Sequence, residues 1–329
     1  MTISLAPEKR QNIYQKCVEL SRKIKPTIRQ VATVIGKVVA AFPGVQHGPL
    51  YYRGLETTKI EALSRNRGNF DAKTELNNSA RNDLNWWLAN ILADSTCSPI
   101  QQPKPSIYIE SDASGQGWGG TNGDTEIGGR WNAEELSIAS RNEINYLELL
   151  TVFYNLKAFC KHCSNVHVHV KVDNKTAMTY VNHMGGTRSR ACNKLVKEIW
   201  QWCISRNIWL SASYLPGVEN VTADRKSRKF DDNIEWMLHK MVFQKICKLF
   251  GTPEIDLFAS RLNKQLPRYI SSRPDPEAEN IDAFSVNWEK LQFYAFPPFC
   301  LMPKCIQKIE TDRAEGIVIV CQVIAYACG

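Results

Sequence analysis

Apolar residues recur at helical spacing through the first hundred positions. Ile13, Cys17, Leu20 and Ile24 form one stripe, opened by Ala6-Pro7-Glu8 with proline in the first turn. Pro26 interrupts it. A second apolar stretch covers 28–42 and stops at Pro43-Gly44, and amphipathic segments follow over 51–63 and 72–92, the latter carrying Trp86-Trp87. Pro99, Pro103 and Pro105 mark a linker. From Ser106 the period shortens to two: 107–111, 118–121 and 126–131 read as three strands separated by glycine-rich turns. A long helix over 143–159 places Ile144, Leu147, Leu150, Phe153 and Leu156 on one stripe. A strand over 166–172, helices over 175–183 and 192–206, a strand over 208–214 and a helix near 221–227 complete the order βββαβααβ plus a terminal helix. A third segment opens with an amphipathic helix over 232–250. It continues through a strand ending in Ile255-Asp256-Leu257-Phe258, a proline-punctuated loop, Pro297-Pro298, a helix over 302–313 and a strand over 316–320. That alternation predicts an α/β layer with a largely parallel sheet.

The predicted organisation is therefore a helical region over 1–100, a mixed five-stranded α/β domain with flanking helices over 105–228, and an α/β segment over 232–329. The apolar tail 317–329 reads as a buried strand without a polar cap, so the last segment reads as truncated. The chain of 329 residues carries a net charge of +8, which permits a polyanionic partner. Seven of the cations (Lys9, Arg10, Lys16, Arg22, Lys23, Lys25, Arg29) fall in the first thirty residues, a basic surface for nucleic acid or a solvated face. Eleven cysteines without a secretory signal predict reduced thiols in a cytoplasmic or nuclear protein. Cys160-Lys-His-Cys163 lacks the second pair a structural zinc site needs, and packing at a helix end explains it. No stretch is long enough to span a bilayer, so no membrane partner is expected.

Four carboxylates stand out. Asp112 ends the first strand, Glu148 sits on the long helix, Asp173 ends the fourth strand and Asp224 follows Asn220 in the terminal helix. A single acid at a strand end commonly caps a turn. Four brought together would repel and raise one another's pKa unless cations neutralise them, and hard oxygen ligands suit Mg²⁺.

Strand-Asp, helix-Glu, strand-Asp and a late Asp in this order resemble the ribonuclease H family over residues 106–228. The motif Tyr214-Leu-Pro-Gly-Val-Glu-Asn220-Val-Thr-Ala-Asp224-Arg-Lys-Ser-Arg228 is similar to the version fused to retroelement reverse transcriptases. Gly48-Pro-Leu-Tyr-Tyr-Arg-Gly-Leu-Glu-Thr-Thr-Lys59, Asn182-His-Met-Gly-Gly-Thr-Arg188 and Glu254-Ile-Asp-Leu-Phe-Ala-Ser-Arg-Leu-Asn263 resemble the polyprotein of tyrosine-recombinase (DIRS-type) retrotransposons. The resemblance implies a ribonuclease H-like sheet preceded by a thumb- and connection-like helical region, and two-metal cleavage of the RNA strand of an RNA/DNA hybrid. It implies two Mg²⁺ ions, with Mn²⁺ as a substitute. Asp112 would bridge both, Asp224 would complete the ion that activates water, and Glu148 and Asp173 the ion at the leaving group. Asn174, Arg188, Asn220 and Tyr214 are candidate substrate contacts; for Asn174 and the 185–190 loop, surface solvation is the competing reading.

The sequence departs from the family in two places. Related enzymes carry a histidine ten residues before the last aspartate, where this chain has Tyr214. A phenol, titrating near about 10, cannot change charge at neutral pH as an imidazole does, so slower turnover is expected with metal binding intact. No Tyr-x-Asp-Asp polymerase signature occurs, so no polymerase activity is expected, and a separate palm-bearing polypeptide or other retroelement proteins are the implied partners. His167 and His169 alternate with valines and read as packing residues. In the last segment, Asp256-Leu-Phe-Ala-Ser and Phe296-Pro-Pro-Phe299 are similar to phage-type adenine methyltransferases. Phe299 keeps the stacking aromatic, but Phe296 supplies no acceptor for the adenine amine, which implies a relic without catalysis. The alternative to a nuclease is a non-catalytic nucleic-acid-binding remnant or co-opted copy of the retroelement.

Overall fold

The computed structural model describes residues 1–142, 144–186, 188–230 and 236–320. Its elements run β1 (Thr2–Ile3), α1 (Pro7–Ser21), α2 (Ile28–Val39), α3 (Arg53–Arg65), α4 (Asn78–Asn90), β2 (Ser98–Pro99), β3 (Ile107–Ala113), β4 (Gly117–Asn122), β5 (Thr125–Arg130), α5 (Ala133–Asn142) and α6 (Ile144–Cys160). They continue with β6 (His167–Val172), α7 (Lys175–Asn182), α8 (Arg190–Ile204), β7 (Trp209–Tyr214), α9 (Val221–Arg228) and α10 (Lys240–Phe250). The last are β8 (Ile255–Asp256), β9 (Ile270–Ser271), β10 (Asn280–Ile281), β11 (Phe293–Ala295), α11 (Met302–Asp312) and β12 (Gly316–Val318). The expected mixed five-stranded sheet with flanking helices is present, in the order β5-β4-β3-β6-β7. Its first three strands form an antiparallel meander.

Contacts divide the chain into two compact units. The first comprises Met1–Ile107, Ser164–His169 and Asn174–Tyr214. Several of its helices start at capping side chains. Thr27 and Gln30 form a reciprocal capping box at α2, and Asn77 and Ser189 cap α4 and α8. Ile13, Cys17 and Leu20 pack with Val31, Leu84 and Trp87 in one core. Two boundaries differ from the sequence reading. α1 ends at Ser21 and leaves Ile24 80% exposed, because the chain turns ahead of Pro26. Residues 72–77 are not helical; Thr27 and Lys73 form an isolated antiparallel bridge instead, and Asn77 starts α4. Buried Asp83 accepts from Gly54 N at 2.7 Å and from Lys197 Nζ at 3.1 Å, while Tyr51 stacks on Trp86. The rings of His167 and His169 bond the Ser211 and Ser213 hydroxyls at 2.7–2.8 Å.

The second unit comprises Tyr108–Cys163, Val170–Asp173 and Leu215–Gly329. At its centre is α6, every residue of which from Leu147 to Leu156 is buried. The single-stripe reading of this helix is corrected: Ile144 is 43% exposed, and burial runs all round the helix. Glu143 at its predicted start lies outside the described residues. A short helix unseen in the sequence, α5, begins where Asn132 and Glu135 cap each other reciprocally (Glu135 N to Asn132 Oδ1 and Asn132 N to Glu135 Oε2, both 2.8 Å). In the third segment, β8, β11 and β12 form a parallel three-stranded sheet, with Trp288, Phe293 and Cys305 in its core. The helix expected over 232–250 is observed from Lys240 only, residues 236–239 being non-helical. Residues 232–235 and the tail beyond 320 lie outside the described residues. Among the described residues no helix is long and apolar enough to cross a membrane.

Candidate metal centre

Each acid reaches the site through a different element. Asp112, near the end of β3, pairs with Gly119 of β4. Glu148 projects from α6, and Asp173 follows β6. One ligand oxygen from each of Asp112, Glu148 and Asp173 lies within 4.8 Å of the others. Asp112 and Glu148 are buried and Asp173 is half-buried.

Three close carboxylates would not all ionise readily. Burial pushes the Asp112 carboxyl up to about 6, with Asp173 and Asp224 adding repulsion and Ser227 opposing the rise. Burial, then repulsion from Asp173 and Asp112, raises Glu148 well above the usual carboxylate range. Asp173 is raised by burial and by Asp224. The Ala113 backbone N–H opposes part of the rise at Glu148, while Glu148 Oε2 is buried with no hydrogen-bond partner. An orphaned carboxylate oxygen facing two further hard oxygen donors fits a divalent cation.

Asp224 stands apart from the three. It lies on α9, and its Oδ1 receives Arg228 Nε at 2.7 Å. α9 and α6 reach the sheet because β4 is glycine-rich: a Cβ on Gly119 would collide with the Ala223 carbonyl of α9, and one on Gly120 with the Asn155 amide of α6. Asn155, two turns after Glu148 and so on the same face of α6, donates to Ser111 Oγ at 3.1 Å and to Gly119 O at 3.2 Å.

Among the other sequence candidates, Asn174 caps α7 by accepting from Ala177 N at 2.9 Å. Arg188 is exposed. Tyr214 is 43% exposed, with the Lys175 ammonium 5.0 Å from its ring centre. Asn220, the remaining candidate substrate contact, lies away from the surface. It is fully buried and donates to Ser111 O at 3.0 Å, an anchor that sets the start of α9 beside Asp112. Two residues went unnoticed in the sequence: Asn155, a buried polar position seven residues after Glu148 on α6, and Ser227, one turn after Asp224. Helical spacing from a named acid was the available signal for both.

In the third segment, residues 257–260 and 296–299 line one cavity of about 790 Å³. Asp256, just before this lining, is buried, its two oxygens accepting from Phe258 N at 3.3 Å and Gln265 N at 3.1 Å.

The enzymatic polyprotein of Cauliflower mosaic virus (strain NY8153) is 29% identical to this chain over 145 residues, covering 40% of this chain and 21% of the polyprotein. The chain thus spans about a fifth of the length of the curated relatives it matches (21%). RNase H1 from Halobacterium salinarum NRC-1 aligns at 16% identity over 36% of this chain and 91% of its own, with a TM-score of 0.27. The foamy viral protease-reverse transcriptase in complex with an RNA/DNA hybrid aligns at 12% identity over 72% of this chain and 30% of its own, with a TM-score of 0.22. No family model matches the chain.

Proposed function

We propose that this chain is part of a DIRS-type retrotransposon reverse transcriptase polyprotein, and that residues 105–228 are a ribonuclease H that cleaves the RNA strand of RNA/DNA hybrids. The observation that carries the reading is the convergence of Asp112, Glu148 and Asp173 within 4.8 Å around an orphaned Glu148 oxygen. Asp112, Glu148 and Asp173 would hold divalent ions, with Asp224 completing the site once its carboxylate leaves Arg228. Such ions supply a deprotonated water and Lewis-acid stabilisation of the leaving oxygen. The residues' own work is positional: Ser227 and Asn220 fix α9 against β3, and Asn155 fixes α6, so the acids face one point before any ion arrives. The decisive experiment incubates the full chain with a labelled RNA/DNA hybrid and Mg²⁺ or Mn²⁺ beside Asp112→Asn. Metal-dependent cleavage by the parent alone is expected; equal cleavage by both, or none by either, favours a nucleic-acid-binding remnant.

The third segment reads as a methyltransferase-like scaffold without catalysis. Both oxygens of Asp256 are engaged by loop backbone, and Phe296 offers the cavity no acceptor. Neither S-adenosylmethionine binding nor methyl transfer to DNA is expected, and clear transfer rejects the reading.

A further inference from the structure

We infer that Arg261, in the third segment, is a positioning residue for the candidate metal centre: it clamps α6, the helix that carries Glu148. The inference rests on the nuclease reading only for its turnover measurements. Arg261 lies in the loop after β8, and its side chain is 6% exposed. Burying a guanidinium is costly unless its donors are met, and here they are. Nη1 pairs with Glu135 Oε1 at 2.6 Å, Nη2 donates to Arg130 O at 2.7 Å, and the guanidinium lies 4.9 Å from the Tyr154 ring centre. Tyr154 of α6 donates its hydroxyl to the same Glu135 oxygen. The backbone N–H of Arg261 is itself held by Asp275 at 3.0 Å.

A second grip lies just past the C-terminal end of α6, where Lys161 donates to the carbonyls of Ala278 and Glu279. The third segment therefore holds α6 at Tyr154 and, through Lys161, the turn that follows it. The path from Arg261 to the acids is short. Tyr154 meets the edge of Trp118 at 5.4 Å. Trp118 pairs across the sheet with Ala113, the residue next to Asp112 on β3. A residue of the segment read as a relic thus fixes the helix and strand that aim two of the three acids.

The test uses the full chain as wild type, Arg261→Ala, Arg261→Lys and, as a control, Trp288→Phe, which disturbs the third segment's own core away from Glu135. Mn²⁺ affinity is measured by electron paramagnetic resonance, alongside the Mn²⁺ dependence and hybrid KM of cleavage. Arg261→Ala is expected to weaken Mn²⁺ binding about tenfold while hybrid KM changes less than about twofold. Arg261→Lys should recover part of the affinity by keeping the charge. Trp288→Phe should lower Tm without changing Mn²⁺ affinity. Unchanged affinity in Arg261→Ala, an equal loss in Trp288→Phe, or no Mn²⁺ binding by wild type overturns the inference. If wild type binds Mn²⁺ but cleaves no hybrid, the nuclease reading fails while the binding data still decide the role of Arg261.

Discussion

The Ser227 hydroxyl donates to Asp112 Oδ2 at 2.7 Å, joining the last turn of α9 to the end of β3. The bond favours the ionised form of Asp112, the form that binds a cation. Ser227→Ala is expected to cost about 1 kcal/mol of stability and to raise the Mg²⁺ concentration needed for half-maximal hybrid cleavage. Urea denaturation and a Mg²⁺ titration check the two effects separately. A stability loss with an unchanged Mg²⁺ requirement would mean that Ser227 only fastens α9.

The raised acids make the metal-free protein sensitive to pH in a defined direction. Asp112 is pushed up to about 6 in the fold, against about 3.9 for a free aspartate. The folded state therefore holds the proton more tightly. Its contribution to stability is full below about pH 4 and is lost as pH rises through about 6; Glu148, also raised, acts in the same sense. Asp256, pushed up to about 6 by burial alone, adds a slope unrelated to metal. Without metal, Tm should fall between pH 4 and 7, and Mg²⁺ or Mn²⁺ should restore it at pH 7 but not at pH 4. Asp112→Asn should flatten the curve and remove the metal response, whereas Asp256→Asn should flatten it and keep the response. Calorimetry at matched ionic strength distinguishes these outcomes.

Local signals explain which parts of this organisation were legible in the sequence. The strands of the five-stranded sheet were readable because Ile107, Ile109, Val168 and Val170 alternate with polar neighbours, and glycine-rich turns separate the first three strands. α5 was missed although Asn132 and Glu135 carry a capping box, because its short helix follows a strand without an apolar stripe. α6 was readable as a helix but not as one buried on all sides: burial from Leu147 to Leu156 is a tertiary fact that no stripe records. Asp112, Glu148, Asp173 and Asp224 were named together from their order and the resemblance it carries; the first three converge, while Asp224 is paired with Arg228. The burial of Asn220 was not legible because it depends on the Ser111 carbonyl, more than a hundred residues away in sequence (109 residues).

Gly120 offers a test of how closely α6 must approach the sheet. A Cβ there would fall on the amide of Asn155, which is buried and already donates to Ser111 and Gly119. Backbone and α6 would have to separate, and overpacking of this kind costs about 1–3 kcal/mol. Gly120→Ala is expected to lower stability by that amount and to reduce cleavage by displacing Glu148. Gly115, with open space around its would-be Cβ, should accept alanine without a comparable loss. Guanidinium denaturation of the two variants gives the comparison directly.

Tyr214 is the position where a change should improve the proposed nuclease. The family resemblance implies a histidine there that helps product leave, and a histidine can act so only when it carries charge near neutral pH. Tyr214→His is therefore expected to raise steady-state turnover several-fold and to leave the single-turnover rate unchanged, since chemistry precedes release. The surroundings limit the gain. The Lys175 ammonium lies 5.0 Å from the ring centre, and a cation so placed disfavours imidazolium, holding its pKa below the ordinary value of about 6.5. The improvement should then appear at pH 6 and fade by pH 7.5. Pairing the change with Lys175→Gln removes the repulsion and should carry the benefit toward pH 7. Pre-steady-state quench-flow on a labelled hybrid separates the two rates. If Tyr214→His leaves steady-state turnover unchanged across that pH range, product release does not depend on this position, and the tyrosine is a neutral replacement.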